Sequence, residues 1–141
     1  MMKSADRPVN PRRSPSRFKK ISGNGDVCSV RAVHHGEGAI DVHRFAFFAE
    51  RKTPYFVMFD MPPGSSEGIH AHRAEIMAEA WLDEYYYVIT GNGIMRIDGE
   101  VVEITQGDFI YTPAGVFHGI ENTAETGNLK VMVTLISVPP A

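Results

Sequence analysis

The stretch GDFIYTPAGVFHGIEN, residues 107–122, decides the fold. Its first half is an apolar, β-branched and aromatic segment, Phe109–Thr112, and a proline-glycine turn follows it. Its second half, Val116–Ile120, is again typical of a strand and carries His118. Proline and glycine at these positions favour a tight turn. The stretch therefore predicts two short strands joined by a turn, with a histidine in the second.

Short β segments separated by glycine-rich turns continue on both sides of this stretch. Asp98-Gly99 between two of them is a strong signal for a two-residue hairpin. Many short strands at even spacing predict an all-β sandwich or barrel. The predicted strands are Val27–Val33, Ile40–Phe48, Tyr55–Met61, Tyr85–Thr90, Ile94–Ile97, Val101–Thr105, Phe109–Thr112, Val116–Ile120 and Leu129–Val138.

One segment, RAEIMAEAWLD over Arg73–Asp83, departs from the β pattern. Alanine, glutamate, methionine and leucine favour helices. Its apolar residues Ile76, Met77, Ala80 and Trp81 fall on one helical face. We therefore predict a short helix near Arg73–Trp81, inserted between strands.

The 141 residues are enough for one domain, which we place at residues 21–141. Residues 1–20 carry seven basic groups and one acidic group, and three prolines interrupt them. This composition predicts a disordered basic arm. The alternatives are that it contacts nucleic acid or an anionic membrane, or that it packs on the acidic body or on a partner subunit. Residues 21–141 have a net charge of −9, which disfavours nucleic acid as the main partner.

Nothing in the sequence predicts a membrane protein or a secreted one. No apolar run approaches the ~20 residues that a membrane-spanning helix needs. The N-terminus lacks the apolar stretch of a secretory signal. Cys28 is the one cysteine, so no internal disulfide can form. These features favour a reducing compartment, and we predict a cytoplasmic location.

His70 and His72 are separated by one residue. On a strand such residues point to the same face, so both imidazoles can converge on one metal ion. His34, His35 and His43 lack such a context, and we interpret them as ordinary polar residues of strands.

Taken together, these residues resemble the two sequence motifs of the cupin family. The first motif is glycine, five residues, His-x-His, a spacer, glutamate, six residues and glycine. It is matched by Gly64, His70, His72, Glu84 and Gly91. The second motif is glycine, five residues, Pro-x-Gly, two residues, histidine, three residues and asparagine. It is matched at every position, by Gly107, Pro113, Gly115, His118 and Asn122.

The resemblance implies a cupin-type double-stranded β-helix, that is, a jelly-roll barrel. It also implies a metal site with four ligands, His70, His72, Glu84 and His118. Eleven residues separate His72 from Glu84, whereas cupins usually have three or four there. Glu75 lies nearer, but it has no glycine seven residues later and falls in the helical pattern, so we favour Glu84.

Three imidazoles and a carboxylate suit one divalent transition metal: Fe, Mn, Ni, Co, Cu or Zn. The absence of a thiolate ligand disfavours a structural zinc site. The sequence favours a metal-dependent enzyme on a small organic substrate, a dioxygenase first and a lyase or isomerase otherwise. A non-catalytic binding or sensing module is the alternative. An intact ligand set argues against a vestigial site.

Strand alternation from Glu84 sends Tyr86 and Val88 inward, and Tyr85 and Tyr87 outward. Tyr86 is therefore our candidate catalytic residue, which either donates a proton, orients the substrate or only packs. The inserted segment Arg73–Asp83 is either a lid over the barrel mouth or an element of a dimer interface. Small cupins are commonly dimers, so we predict a homodimer.

Overall fold

The computed structural model describes residues 20–45, 54–73 and 81–139. The arm over residues 1–20 and the helix near Arg73–Trp81 fall almost entirely outside these ranges, so both stay predictions. Within the described ranges, no helix is long and apolar enough to cross a membrane. The strands are β1 Asp26–Arg31, β2 Ala39–Arg44, β3 Tyr55–Met61, β4 Ser66–His70, β5 Leu82–Thr90, β6 Asn92–Ile97, β7 Glu100–Thr105, β8 Phe109–Thr112, β9 His118–Glu121 and β10 Leu129–Ser137.

Two antiparallel sheets form the barrel. The larger has the order β1-β2-β3-β10-β5-β8 and the smaller the order β4-β9-β6-β7. Burial of apolar side chains between the sheets, at about 25 cal/mol per Å², is the main force that holds them together. The core residues include Ile40, Met61, Val88, Met95, Ile120, Leu129, Val131 and Val133. The predicted all-β jelly roll is confirmed.

The hairpin predicted at Asp98-Gly99 joins β6 to β7. Ile97 pairs with Glu100, which leaves Asp98 and Gly99 as the two loop residues. Their φ angles are 47° and 86°. A two-residue loop with positive φ at both positions matches the twist of antiparallel strands, so the local sequence fixes this turn.

The strand that carries Glu84 begins earlier than predicted, at Leu82 instead of Tyr85. The carboxylate of Asp83 accepts hydrogen bonds from the backbone N–H of Ala114 and from the hydroxyl of Tyr111, both at 2.9 Å. These bonds tie the start of β5 to β8 and to the turn before β9. Leu82 and Asp83, which the sequence analysis assigned to the insertion, therefore belong to the sheet.

Side chains alternate along β5 as predicted. Tyr86 and Val88 are fully buried, whereas Tyr87 is 46% exposed. Tyr85, on the outer face, stacks on Tyr111 with ring centroids 4.9 Å apart. Alternation therefore brings Glu84 and Tyr86 into the barrel together.

The first predicted strand ends two residues early. β1 stops at Arg31, and a short 3₁₀ turn over Val33–His35 follows it. The prediction that His34 and His35 are strand residues is therefore wrong. His43 does lie in β2, where its Nδ1 bonds the carbonyl of Asn24 at 2.9 Å.

Candidate metal centre

Four donor side chains meet between the two sheets. His70 ends β4, His72 follows two residues later, Glu84 lies in β5 and His118 begins β9. Each is at most 7% exposed. Oε2 of Glu84 lies 2.6 Å from Nε2 of His72, 2.7 Å from Nε2 of His118 and 3.9 Å from Nε2 of His70. The four residues that the sequence indicated thus form one buried group that could hold a metal ion.

Backbone carbonyls orient two of the imidazoles. Nδ1 of His70 donates to the carbonyl of Gly68 at 2.8 Å, and Nδ1 of His118 donates to that of Val116 at 2.9 Å. In the neutral rings this choice of tautomer leaves a lone pair on each Nε2. A metal-bound histidine usually makes this kind of outer hydrogen bond.

The donor set fits a divalent transition metal. Nε2 of His70 lies 3.2 Å from Nε2 of His72, and the Glu84 carboxylate is next to both. Acceptor atoms packed this closely repel one another unless a cation lies among them. The buried Nδ1 of His72 has no hydrogen-bond partner within the described ranges. This ring therefore contacts the other donor residues through its Nε2 alone. Nitrogen and oxygen donors of this kind suit such an ion.

Burial and the mutual contacts of the donor groups shift their pKa values in opposite directions. Burial alone would raise the pKa of Glu84, but the imidazoles of His118, His70 and His72 outweigh it and hold that pKa well below its ordinary value. Burial alone would lower the pKa of His118, yet its hydrogen bond to Glu84 raises it. The site is therefore built to stabilise a carboxylate beside positive charge.

Glu67, which the sequence analysis did not single out, faces the same interior as His70. Residues three apart on a regular strand face opposite sides. Here β4 pairs with β9 through a β-bulge between these two residues. As a result Glu67 is 4% exposed, and Ile69 between them is 59% exposed. The bulge thus adds a second carboxylate to the site.

Glu67 and Tyr86 form a buried polar pair. The Tyr86 hydroxyl donates to Oε1 of Glu67 at 3.0 Å. Burial, with the nearby charge of Glu84, raises the pKa of Glu67 to about 7. Burial also raises the pKa of Tyr86 well above its ordinary value. Glu67 is therefore able to hold or release a proton near neutral pH.

His34 lies against this group rather than on a strand. Its ring stacks on His70 with centroids 3.7 Å apart and planes 9° apart. His34 also belongs, with Glu67 and His70, to a second group of possible metal ligands, which shares His70 with the four-donor group. A cavity of about 230 Å³ lies beside His34, Glu67, His72 and Glu84.

This arrangement of strands has counterparts among known proteins. A family model described as "Cupin domain" matches residues 57–135, more than half of the chain. The chain belongs to the cupin family. The family predicted from the two motifs is confirmed, and both motifs lie within or at the edge of the matched region.

Among curated proteins, this cupin is similar to the "Oxalate-binding protein" of Thermotoga maritima. The two are 36% identical over 85 residues, which cover 60% of this chain and 64% of the relative. A second relative is an uncharacterised protein of Methanocaldococcus jannaschii, 35% identical over 80 residues, which cover 57% of this chain and 56% of the relative. The matches therefore span less than two thirds of either relative.

Among solved structures, a "predicted oxalate decarboxylase" from Thermotoga maritima superposes with a TM-score of 0.69. It is 28% identical, and the match covers 79% of this chain and 92% of that one. A cupin protein from Bacteroides fragilis has a TM-score of 0.60 at 16% identity, with coverage of 89% and 88%. The second likeness concerns the fold alone.

The raised pKa of Glu67 predicts a pH effect on the stability of the metal-free protein. Between pH 4.5 and about 7 the folded protein keeps a proton that the unfolded chain has released, so rising pH lowers the free energy of unfolding. Glu67→Gln keeps an acceptor for Tyr86 but cannot titrate. We expect the free energy of unfolding of the variant, relative to that of wild type, to rise by up to about 3 kcal/mol between pH 5 and pH 8.

Urea unfolding in chelator at several pH values measures this difference. Glu103→Gln, at an exposed position of β7, is the matched control and should follow wild type at every pH. A Glu67→Gln curve parallel to wild type across this range would show that Glu67 titrates normally.

Proposed function

We propose that this cupin is a metal-dependent enzyme that acts on a small organic acid. The observation that carries the proposal is the meeting of three imidazoles and one carboxylate, two of which, His72 and Glu84, line a cavity. An octahedral ion with four protein ligands keeps two positions for a bidentate acid, or for substrate and O₂. The likeness to a protein named as oxalate-binding supports an acid as the ligand class.

Each residue has a distinct part in this proposal. His70, His72, Glu84 and His118 hold the ion, which supplies Lewis acidity and a fixed position for the acid when bound. Glu67 exchanges a proton with the bound acid, because its carboxyl group is buried in the same interior and lines the cavity. Tyr86 is a positioning residue, since its hydroxyl holds Oε1 of Glu67 at 3.0 Å.

For the reaction class we propose a dioxygenase first, and a lyase or isomerase otherwise. Two open positions on the ion serve an acid together with O₂, and they serve equally a chelated acid that loses or shifts a group. The fold itself does not choose among these chemistries. Oxygen uptake separates the first class from the other two.

A second candidate is a module that binds an acid without converting it. The name of the Thermotoga maritima relative, which describes binding only, favours this candidate. It needs the same four ligands and the same cavity, but it gives Glu67 no chemical role. Turnover therefore distinguishes the two candidates, whereas binding does not.

The test is to load the protein anaerobically with Fe²⁺ or Mn²⁺ and supply oxalate and 2-oxo acids. Oxygen uptake and product formation are followed for wild type, Glu84→Gln and the exposed control Glu103→Gln. We expect many turnovers by wild type and the control, and activity lowered at least about 100-fold in Glu84→Gln, which loses a metal ligand. Acid binding without turnover would favour the second candidate, and equal rates in all three proteins would refute a role for the site.

The homodimer and the cytoplasmic location stay predictions. The outer face of β5 and β8 supports the first, because Phe109 is 64% exposed and Tyr111 is 48% exposed beside Tyr85. Adjacent exposed aromatic side chains are typical of surfaces that contact another protein.

A further inference from the structure

The cavity beside the metal centre is polar at one side and apolar over most of its wall. The polar residues of its lining are His34, Arg44, Glu67, His72 and Glu84. The inner face of the six-stranded sheet, which also carries Glu84, supplies the apolar part of the wall. That wall includes Val42, Val57, Phe59, Val133 and Leu135.

The size of the cavity bears on what fills it. At ~30 Å³ for each water molecule, a cavity of about 230 Å³ has room for about eight water molecules. Waters against the valine and leucine side chains would lack polar partners, and such an apolar region favours a hydrocarbon group instead. Oxalate is polar throughout, so it would satisfy the polar side and leave this wall without a partner.

His34 reaches the polar side through an unusual backbone. Ala32, His34 and His35 have φ angles of 51°, 47° and 64°, in the left-handed region that residues other than glycine avoid. Each such residue costs on the order of 1 kcal/mol. Strain of this kind persists only where surrounding contacts enforce it, and it is concentrated at functional sites.

Tight backbone contacts with β4 enforce this turn. A Cβ on Gly36 would lie 2.0 Å from the carbonyl oxygen of Ser66, and a Cβ on Gly68 would lie 2.0 Å from that of His34. The backbone N–H of Ser66 also donates to the carbonyl of Glu37 at 2.9 Å. The turn is therefore locked onto the strand that carries His70, and the His34 ring is held over that ligand.

The ring of His34 has a hydrogen-bonding edge at the cavity. Its stacking on His70 uses the face of the ring and no nitrogen. Across the described part of the chain, no hydrogen bond occupies either of its nitrogens, although the ring is partly buried. A ligand at the metal centre is a suitable partner for it.

We propose that the acid bound here has an apolar body, and that His34 hydrogen-bonds its polar head, an inference that rests on the proposed function above. The head, a carboxylate with a neighbouring oxygen, lies at the four-donor group. The body, a branched aliphatic or aromatic group, lies against Val57, Phe59 and Val133. His34 is then a recognition residue and the apolar wall sets the preferred length.

A series of acids with one head group tests the length preference. Calorimetric titration of the Mn²⁺-loaded protein with oxalate, pyruvate, 2-oxopentanoate and 4-methyl-2-oxopentanoate gives the affinity for each. We expect the affinity to rise about fourfold for each carbon added to pyruvate, the effect of burying one CH₂ group.

Two pairs of variants test the residues. Val57→Thr adds a hydroxyl to the wall and should weaken 4-methyl-2-oxopentanoate about fivefold with little effect on pyruvate. Its control is Val101→Thr, at a position 57% exposed. His34→Phe keeps a flat ring over His70 and should weaken every acid about tenfold or more, with Mn²⁺ affinity unchanged. Its control is His35→Phe, an exposed neighbour that also has positive φ.

The outcomes separate this inference from the proposed function. If oxalate and pyruvate bind and longer acids bind no better, the apolar body is wrong and the metal-dependent site stands. If no acid binds to the Mn²⁺-loaded protein, both proposals fall. If His34→Phe loses Mn²⁺, or binds acids as wild type does, His34 is not a recognition residue.

Discussion

The His118→Ala protein is expected to bind Zn²⁺ more than about 100-fold more weakly than wild type. Replacement of groups that merely orient a ligand already costs 10–100-fold in metal affinity, and His118 is proposed as a ligand itself. Its Nε2 lies 2.7 Å from Oε2 of Glu84, and its ring is 1% exposed. Competition titration against a chelating dye measures the affinity.

The control for this variant is His35→Ala, which removes an exposed imidazole outside the four-donor group. It should keep the affinity of wild type within about threefold. Circular dichroism of both variants in chelator checks that the overall β structure is retained. Stoichiometric binding by a folded His118→Ala protein with unchanged affinity would remove His118 from the site.

The Gly68→Ala protein is expected to lose stability by about 3 kcal/mol, the upper end of the usual cost of overpacking. The added methyl group would lie 2.0 Å from the carbonyl oxygen of His34 and 3.0 Å from the backbone nitrogen of Gly36. Neither neighbour is the end of a flexible side chain, so the turn and β4 must separate. Urea unfolding measures the loss.

Gly127→Ala is the matched control for that substitution. Gly127 has a φ of 85°, but a Cβ there meets nothing within 4 Å, so it carries backbone strain without a collision. We expect it to lose only about 1–2 kcal/mol, the cost of left-handed backbone for a residue with a side chain. If Gly68→Ala is no less stable than Gly127→Ala, the contact between the turn and β4 is not as tight as described.

The sequence predicts the four-donor group well because each ligand follows from short-range information. Motif spacing puts His118 at the start of a strand, and alternation from Glu84 puts Tyr86 inward. The spacer of eleven residues did not prevent the choice of Glu84, since Gly91 follows it by seven residues and the strand pattern begins there. His70 and His72 also converge, although β4 ends at His70 and His72 lies beyond it.

Glu67 could not be predicted because its position depends on a pairing defect. Regular alternation from His70 sends Glu67 to the outer face. The β-bulge between them reverses this, and it arises where β4 meets β9, a strand about fifty residues later. The available signal in the sequence was a glutamate within a short strand. Because glutamate is most often exposed, this signal did not indicate a buried position.

His34 was missed for a different reason. In the sequence AVHH, three residues other than glycine have left-handed backbone, which the local sequence does not indicate. Tertiary contacts hold this conformation in place. The glycines that permit those contacts, Gly36 and Gly68, are thirty-two positions apart in the chain. The general lesson is that positions set by motifs and alternation are predictable, whereas those set by long-range backbone packing need the structure.

Anomalous diffraction from crystals of the Zn²⁺-loaded protein tests the central claim most directly. The account predicts one strong peak about 2.0–2.2 Å from Nε2 of His70, His72 and His118 and from a carboxylate oxygen of Glu84. A peak bound by another set of residues, or no ordered peak among these four side chains, would contradict it.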